Sequence, residues 1–209
     1  MKLLLVGSTG LVGRHVLALA LAHPDIEHVV APVRRASIAQ PKLLAPVVDF
    51  DALPAEAAWW RADAVICTLG TTLRIAGSRE AFRRVDHDYP LAVAKLARRH
   101  GVASYALNSA VGADPDSRFF YNRVKGELER DLSELGFRSL TLVRPGLIGG
   151  QRDEHRGGER AALLALGLLG PVLPRAWRIN PAERIAQALL EAALSPAPGT
   201  RIVGSDRLI

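Results

Sequence analysis

The fold of this chain is decided by residues 3–13, which read Leu3-Leu4-Leu5-Val6-Gly7-Ser8-Thr9-Gly10-Leu11-Val12-Gly13. The apolar run predicts a buried strand, and the G-x-x-G-x-x-G spacing predicts a tight turn into a helix that ends near Ala22. Gly7 permits the turn, Gly10 lets a diphosphate approach the backbone, and Gly13 lets the helix pack closely on the strand. The helix N-terminus adds unpaired N–H groups and the positive end of a dipole. The whole turn from Gly7 to Gly13 is therefore predicted to bind a nucleotide.

Short apolar segments alternate with helical patterns along the 209 residues. Their near-continuous hydrophobicity indicates a parallel sheet covered by helices on both faces. The predicted strands are Lys2–Val6, Glu27–Val33, Pro46–Val48, Ala64–Cys67, Ala103–Leu107, Ser139–Val143 and Arg201–Val203. The predicted helices are Leu11–Ala22, Ser78–His100, Ser117–Leu135 and Pro181–Leu194. We expect one α/β domain over residues 1–209, a Rossmann-like, doubly wound parallel sheet of about seven strands with a small C-terminal cap at 147–180.

The two longest predicted helices each have one apolar face and a largely charged remainder. In the helix Ser78–His100, Asp86 and His87 are assigned to the charged side, away from the core. This pattern leaves little apolar surface for a helical dimer contact, so a monomer is favoured over a homodimer.

Composition narrows the functional classes. The single cysteine, Cys67, lies in an apolar segment, which excludes an internal disulfide framework and fits a buried strand residue. No spacing of ligands suggests a metal site. The net charge is +6, but the basic residues occur singly or in pairs among acidic ones. Solvated surfaces explain that pattern better than nucleic-acid binding does.

The apolar segments also bear on location. The run before Gly7 is too short for a signal-peptide core. The longest later run, Ala161–Leu173, has 13 residues against the ~20 that a membrane span needs, and it is apolar on every face, as in a buried helix. We therefore expect a cytoplasmic protein without membrane contact. The segment 148–158 is polar and glycine-rich and is predicted to be a loop, in which His155 is the histidine placed for a substrate role.

Three residues form a candidate catalytic set. Tyr121 and Lys125 are four residues apart on a predicted helix, so they project from one face, and Ser109 follows a predicted strand. In this interpretation Tyr121 exchanges a proton with a carbonyl or alcohol oxygen, Ser109 hydrogen-bonds that oxygen, and the Lys125 ammonium holds the cofactor ribose and favours the phenolate. The alternative is that Tyr121 belongs to an aromatic core cluster and Lys125 is a surface lysine.

The second predicted strand indicates which nucleotide binds. An NAD site usually carries Asp or Glu about 20 residues after the glycines, to bind the ribose 2′-hydroxyl. Here Arg34-Arg35 occupy that position, and a guanidinium pairs with a 2′-phosphate. NADP(H) is therefore expected over NAD(H), with Arg34 as the contact; two solvated loop arginines are the alternative.

Several motifs together resemble the atypical short-chain dehydrogenases/reductases of the extended, epimerase-like branch, and among them the Tat-interacting-protein group of NADP-binding oxidoreductase-like proteins. The matching segments are Gly7–Gly13, Cys67–Thr72, Val85–Tyr89, Asn108–Ala113, Tyr121–Lys125 and Arg144–Gly146. The resemblance implies a nicotinamide cofactor along the carboxyl edge of the sheet and a proton-transfer site at Ser109, Tyr121 and Lys125. It also implies that Leu69 and Gly70 line the cofactor path and that the turn at Pro145 closes over the nicotinamide. Asp49 matches a position that contacts the adenine amine, although it could equally cap a turn.

Two departures argue against a nucleotide-sugar epimerase or dehydratase. Only about sixty residues follow Gly146, too few to enclose a nucleotide sugar, and Asp86 stands where extended relatives often carry asparagine. The sequence therefore predicts an NADP-dependent oxidoreductase that acts on a carbonyl or alcohol of a small organic substrate. The alternative from another class is a non-catalytic NADP(H)-binding regulatory or interaction protein.

Overall fold

The computed structural model describes residues 1–36, 40–149 and 179–209, and within them seven parallel strands form one sheet. These strands are β1 (Lys2–Val6), β2 (His28–Val30), β3 (Leu43–Leu44), β4 (Ala64–Cys67), β5 (Ser104–Asn108), β6 (Ser139–Arg144) and β9 (Gly199–Gly204). Their order across the sheet is β3-β2-β1-β4-β5-β6-β9. A separate parallel pair consists of β7 (Ile148–Gly149) and β8 (Asn180–Pro181). The helices are α1 (Leu11–Ala22), α2 (Leu73–Ala76), α3 (Arg79–Arg83), α4 (Tyr89–Arg99), α5 (Phe120–Glu134) and α6 (Ala182–Leu194), with a π-helical turn at Arg84–Asp88.

Helices cover both faces of the sheet. Successive side chains of a strand point to opposite faces, and β1 shows the result. Leu3 and Leu5 pack with residues of α1 and α6 in one apolar cluster. Leu4 and Val6 pack with residues of α4 and α5 in a second cluster. Both faces are buried, which explains the near-continuous apolar character of the strand segments.

The strand order reverses beside β1. The chain first moves outward to β2 and β3, and then returns to place β4 on the other side of β1. Connections that leave β1 and β4 therefore diverge at their carboxyl ends and open a crevice, which is where ligands bind in such sheets. The predicted Rossmann-like, doubly wound parallel sheet is confirmed.

The predicted bounds of β1, α1 and β4 agree with the structure. The predicted strand Pro46–Val48 is wrong: β3 lies at Leu43–Leu44, and a single bridge joins Val33 to Val47. The predicted helix Ser78–His100 agrees to within one residue at each end with the helical run 79–99, but a π-helical turn lies within it between α3 and α4. That turn inserts an extra residue per turn, so the positions of Asp86 and His87 relative to the core change.

Some predictions fall on residues outside the described ranges. Most of the cap expected at 147–180 does, as do His155 and the apolar run Ala161–Leu173. Within the described ranges, no helix has the length and apolarity needed to cross a membrane. Cys67 is fully buried in β4, as predicted.

Candidate active site

The glycine turn that follows β1 has the geometry of an anion cradle. Gly7 has a φ of 90°, and the Gly10 N–H donates to the Gly7 carbonyl oxygen at 3.0 Å. Gly10 then begins α1 without a side-chain cap, and the first turn of the helix carries no acidic residue. Backbone N–H groups at this end of α1 are therefore available to a bound anion.

Thr68 supports this turn from the neighbouring strand. It directly follows β4, and its Oγ1 donates to the carbonyl oxygens of Val6 and Gly7, both at 3.1 Å. Gly13 packs against the same turn, since a Cβ there would lie 2.1 Å from the Gly7 oxygen and 2.7 Å from Thr68 Oγ1. Sequence reasoning assigned Thr68 no role; its position as the first polar residue after a buried strand was the available signal.

One cleft of about 640 Å³ joins the glycine turn to the predicted catalytic residues. Its volume lies within the usual range for sites that bind small molecules and cofactors. The predicted site residues that line it are Gly7, Ser8, Thr9, Gly10, Leu11, Val12, Arg34, Leu69, Gly70, Ser109, Tyr121 and Lys125. The fold thus brings residues from β1, β4, β5 and α5 together at the carboxyl edge of the sheet.

Three predicted site residues do not line this cleft. Gly13 is buried behind the turn. Asp49 is exposed, and its Oδ1 accepts a hydrogen bond from the Asp51 N–H at 2.9 Å, so it caps a turn, the alternative left open by the sequence. Pro145 is buried, and its carbonyl oxygen accepts the Val111 N–H at 2.8 Å. Neither Asp49 nor Pro145 is thus among the cleft residues.

Tyr121 and Lys125 differ in their environments. Tyr121 is 39% exposed, and its ring centre lies 5.8 Å from that of Phe82. Its phenol therefore faces the cleft while the ring packs on the core. Lys125 is buried, in contrast to the surface lysine of the alternative interpretation, and its Nζ lies 2.8 Å from Asp86 Oδ1.

Asp86 is the partner that sequence reasoning missed. Asp86 and His87 were assigned to the solvent-facing side of a helix, but both are buried because the π-helical turn directs them inward. The second carboxylate oxygen of Asp86 accepts the Thr71 N–H at 2.7 Å. Burial lowers the pKa of Lys125, but the charge of Asp86 and the neighbouring phenol of Tyr121 raise it, and the net shift is upward.

Ser109 belongs to a buried hydrogen-bonded chain. Its hydroxyl donates to Glu129 Oε1 at 2.5 Å, and the Arg144 Nε donates to the two oxygens of Glu129 at 3.0 and 3.2 Å. Hydrogen bonding to Glu129 raises the pKa of the Arg144 guanidinium, which keeps this side chain charged. Since Ser109 gives its one proton to a carboxylate, its remaining lone pairs can accept a hydrogen bond from an alcohol in the cleft. Sequence reasoning missed Glu129, which lies one helical turn beyond Lys125.

The other end of the cleft is basic. Arg34 is exposed and lines it after Pro32 and Val33, and Arg14 of α1 also lines it. Arg14 also borders an adjoining hollow of about 290 Å³ between α1 and β3. Two guanidinium groups therefore flank the end of the cleft that is remote from Tyr121.

Comparisons with known proteins agree with this geometry. The family described as NAD(P)H-binding matches residues 7–161 of the chain. The protein named "Protein fmp52, mitochondrial" from Emericella nidulans is 36% identical over 220 residues, which cover 98% of this chain and 92% of that protein.

Two solved structures show the same fold at low identity. MoeE5 in complex with UDP-glucose and NAD has a TM-score of 0.74 at 15% identity, over 98% of this chain and 76% of that one. A putative NAD-dependent epimerase/dehydratase from Bacillus halodurans has a TM-score of 0.69 at 19% identity, over 96% and 92% of the two chains. Both likenesses concern the fold.

The comparisons also correct one prediction. We expected a cytoplasmic protein, because the apolar run before the glycine turn is short. Curated relatives that match nearly the whole chain are instead named as mitochondrial proteins. The cytoplasmic assignment is therefore contradicted, since the length of an N-terminal apolar run addresses only secretion.

Proposed function

Because this chain belongs to the NAD(P)H-binding family, we propose that it is an NADP(H)-dependent oxidoreductase of the short-chain dehydrogenase type. Its reaction is the reduction of a carbonyl, or the oxidation of an alcohol, in a small organic substrate. The observation that carries the proposal is that one cleft holds the Gly7–Val12 turn, Tyr121 and the buried Lys125. The motif resemblance described above further supports a place among the Tat-interacting-protein-like members of that type.

The residues present fit a dinucleotide. A Cβ at Gly7 would lie 2.7 Å from Thr68, so this turn needs its glycine and keeps the backbone open to a ligand. The uncapped start of α1 offers N–H groups to a diphosphate. Gly70 lines the cleft beside Lys125, and a Cβ there would lie 3.8 Å from Lys125 Nζ.

The chain's own residues account for proton transfer. When bound, the cofactor supplies hydride at its nicotinamide ring. Tyr121 donates a proton to the carbonyl oxygen from an accessible phenol, and the Lys125 ammonium stabilises the phenolate that remains. Ser109, whose proton is held by Glu129, accepts a hydrogen bond from the hydroxyl of the alcohol. A Tyr121 that is partly exposed can then regain its proton from solvent.

The proposal is tested by binding and by turnover. Calorimetry with NADPH and with NADH measures binding, and the loss of NADPH absorbance across a panel of aldehydes and ketones measures reaction. We expect NADPH to bind and to be consumed with at least one carbonyl class. The non-catalytic alternative predicts binding with no consumption anywhere in the panel, and the absence of heat for both nucleotides contradicts both functions.

Arg34→Ala tests the expected preference for NADP(H). A charge-assisted hydrogen bond to a 2′-phosphate contributes roughly 1.5–3 kcal/mol, so NADPH affinity should fall about 10- to 150-fold. NADH affinity should change little, because NADH lacks that phosphate. Isothermal titration with both nucleotides measures the two affinities.

Arg35→Ala is the matched control. Arg35 is also exposed and adjacent in sequence, but Arg34 is the one of the pair that lines the cleft. Arg35→Ala should therefore leave the ratio of NADPH to NADH affinity unchanged. Equal losses for both nucleotides in Arg34→Ala would show that Arg34 does not select the 2′-phosphate.

A further inference from the structure

The pair of Asp86 and Lys125 is a buried ion pair in the wall of the cleft. Their charged atoms are 2.8 Å apart, and the side chains are 1% and 4% exposed. A buried ammonium without a counter-charge tends to lose its proton, because burial disfavours the charged form. A carboxylate at this distance opposes that effect and favours the charged form of Lys125.

Asp86 also fixes the loop along the predicted cofactor path. While Oδ1 contacts Lys125, Oδ2 accepts the Thr71 N–H at 2.7 Å. A Cβ on Gly70 would lie 3.4 Å from Asp86 Oδ1 and 3.8 Å from Lys125 Nζ. The carboxylate therefore joins α5 to the loop after β4, directly beneath the cleft surface.

The local backbone explains why a carboxylate reaches this place. Asp86 lies in the π-helical turn between α3 and α4, and such turns are frequent at functional sites. His87 fastens the turn to α5, since its Nδ1 lies 2.8 Å from Asp88 and its Nε2 lies 3.0 Å from Asp131. The turn is thereby held against the helix that carries Lys125 and Tyr121.

We propose that Asp86 is a positioning residue that keeps the buried Lys125 amine protonated and aimed at the cleft. The groups that face this amine are Asp86 from the π-helical turn, Tyr121 from α5 and Cys67 from β4. Asp86 is the one among them that supplies a full negative charge at hydrogen-bond distance. The consequence for turnover rests on the proposed function, but the state of the amine does not.

The test is the titration of Lys125 in wild-type protein and in Asp86→Asn, without cofactor or substrate. The chain has four lysines, Lys2, Lys42, Lys95 and Lys125, so their ¹³Cε and ¹⁵Nζ NMR signals can be separated. The signal that is missing from a Lys125→Met variant is assigned to Lys125. We expect Lys125 to remain an ammonium beyond pH 10 in wild type. In Asp86→Asn it should lose its proton at a pH lower by about one unit or more.

Asp88→Asn is the matched control. Asp88 lies in the same turn but is 53% exposed, and it contacts His87 and Arg83 rather than Lys125. The Lys125 signal should titrate in this variant as in wild type. Identical titration of Lys125 in wild type and in folded Asp86→Asn would overturn the proposal, as would a neutral Lys125 amine at pH 8 in wild type.

Thermal melting against pH gives a second readout. In wild type the folded-state pKa of Lys125 is raised, so its contribution to stability is complete below the unfolded pKa and is lost as pH rises through the folded pKa. In Asp86→Asn burial acts on the amine without the carboxylate and lowers its folded-state pKa, so relative to wild type the variant should become less destabilised as pH rises toward the unfolded pKa of lysine. A parallel pH dependence in both proteins would contradict this.

These readouts separate two failures. If no carbonyl in the panel is reduced and the Lys125 signal still shifts as expected, the proposed function fails while the role of Asp86 stands. If a carbonyl is reduced and the Lys125 signal does not shift in Asp86→Asn, the role of Asp86 fails while the proposed function stands. Should Asp86→Asn not fold, a neutral Lys125 amine at pH 8 in wild type would still overturn the proposal.

Discussion

Tyr121→Phe is expected to lower turnover by a factor of about 10² to 10⁴ while NADPH affinity changes little. General acid–base groups contribute rate factors of that size, and the phenol of Tyr121 is the proposed proton donor to the substrate oxygen. Phenylalanine keeps the ring that packs 5.8 Å from Phe82, so the fold and the cleft should persist. Steady-state kinetics with the best carbonyl of the panel and calorimetry with NADPH measure the two effects.

Tyr105→Phe controls for the general loss of a tyrosine hydroxyl. Tyr105 is fully buried in β5, and its hydroxyl donates to the Pro90 carbonyl oxygen at 3.2 Å. Its removal should cost on the order of 1 kcal/mol of stability and little turnover. Full turnover in Tyr121→Phe would eliminate Tyr121 as the proton donor, and a parallel loss of NADPH binding would indicate a structural role instead.

Local signals in the sequence predicted β1 and α1, the two elements that flank the glycine turn. The bounds of β1 and α1 follow from an apolar run, three glycines and a helical repeat within about twenty residues, and the structure shows the same bounds. The pairing of Tyr121 with Lys125 could also be predicted, because two residues spaced four apart on a helix lie on the same face. Each of these inferences depends on contacts between residues that are close in sequence.

The partners of the predicted catalytic residues could not be predicted from local spacing. A helical repeat of 3.6 places Asp86 on the charged side, whereas the π-helical turn directs it to Lys125 on another helix. Likewise, the sequence analysis gave Glu129 and Arg144 no role at the site, although their side chains meet beside Ser109. Charged residues are buried only when a partner is present, and the partner is chosen by tertiary packing.

Asp49 is another residue whose surroundings are set by tertiary structure rather than by local sequence. The motif resemblance assigned it to the adenine, but its side chain caps the turn at Asp51, and Phe50 is the neighbour that lines the cleft. A shift of one residue after a short edge strand changes which side chain faces the cleft. β3 is two residues long and begins before the predicted segment, so this register was not fixed by the sequence pattern.

Gly13→Ala and Gly10→Ala should separate two roles of the glycine turn, the packing of α1 on β1 and the proposed binding of the dinucleotide. A Cβ at position 13 would lie 2.1 Å from the Gly7 carbonyl oxygen and 2.8 Å from its carbon, both backbone atoms that cannot rotate away. Helix α1 must then move off β1, at a cost on the order of 3 kcal/mol or more, the upper end of overpacking. For a domain of this size that lowers the melting temperature by roughly 6–12 °C.

Gly10→Ala should have the opposite profile. Gly10 has a φ of −74°, and the nearest atom to an added Cβ is the Gly7 oxygen at 3.4 Å, so the backbone tolerates alanine. Because Gly10 lines the cleft, the new methyl group would occupy space proposed for the diphosphate. Alanine at the N-cap should weaken the start of the helix by about 0.5 kcal/mol, so the melting temperature should stay within a few degrees of wild type. NADPH affinity, in contrast, should fall at least about tenfold. If both variants bind NADPH with wild-type affinity, the dinucleotide does not lie across this turn. If Gly10→Ala lowers the melting temperature as much as Gly13→Ala does, the turn has a structural role only.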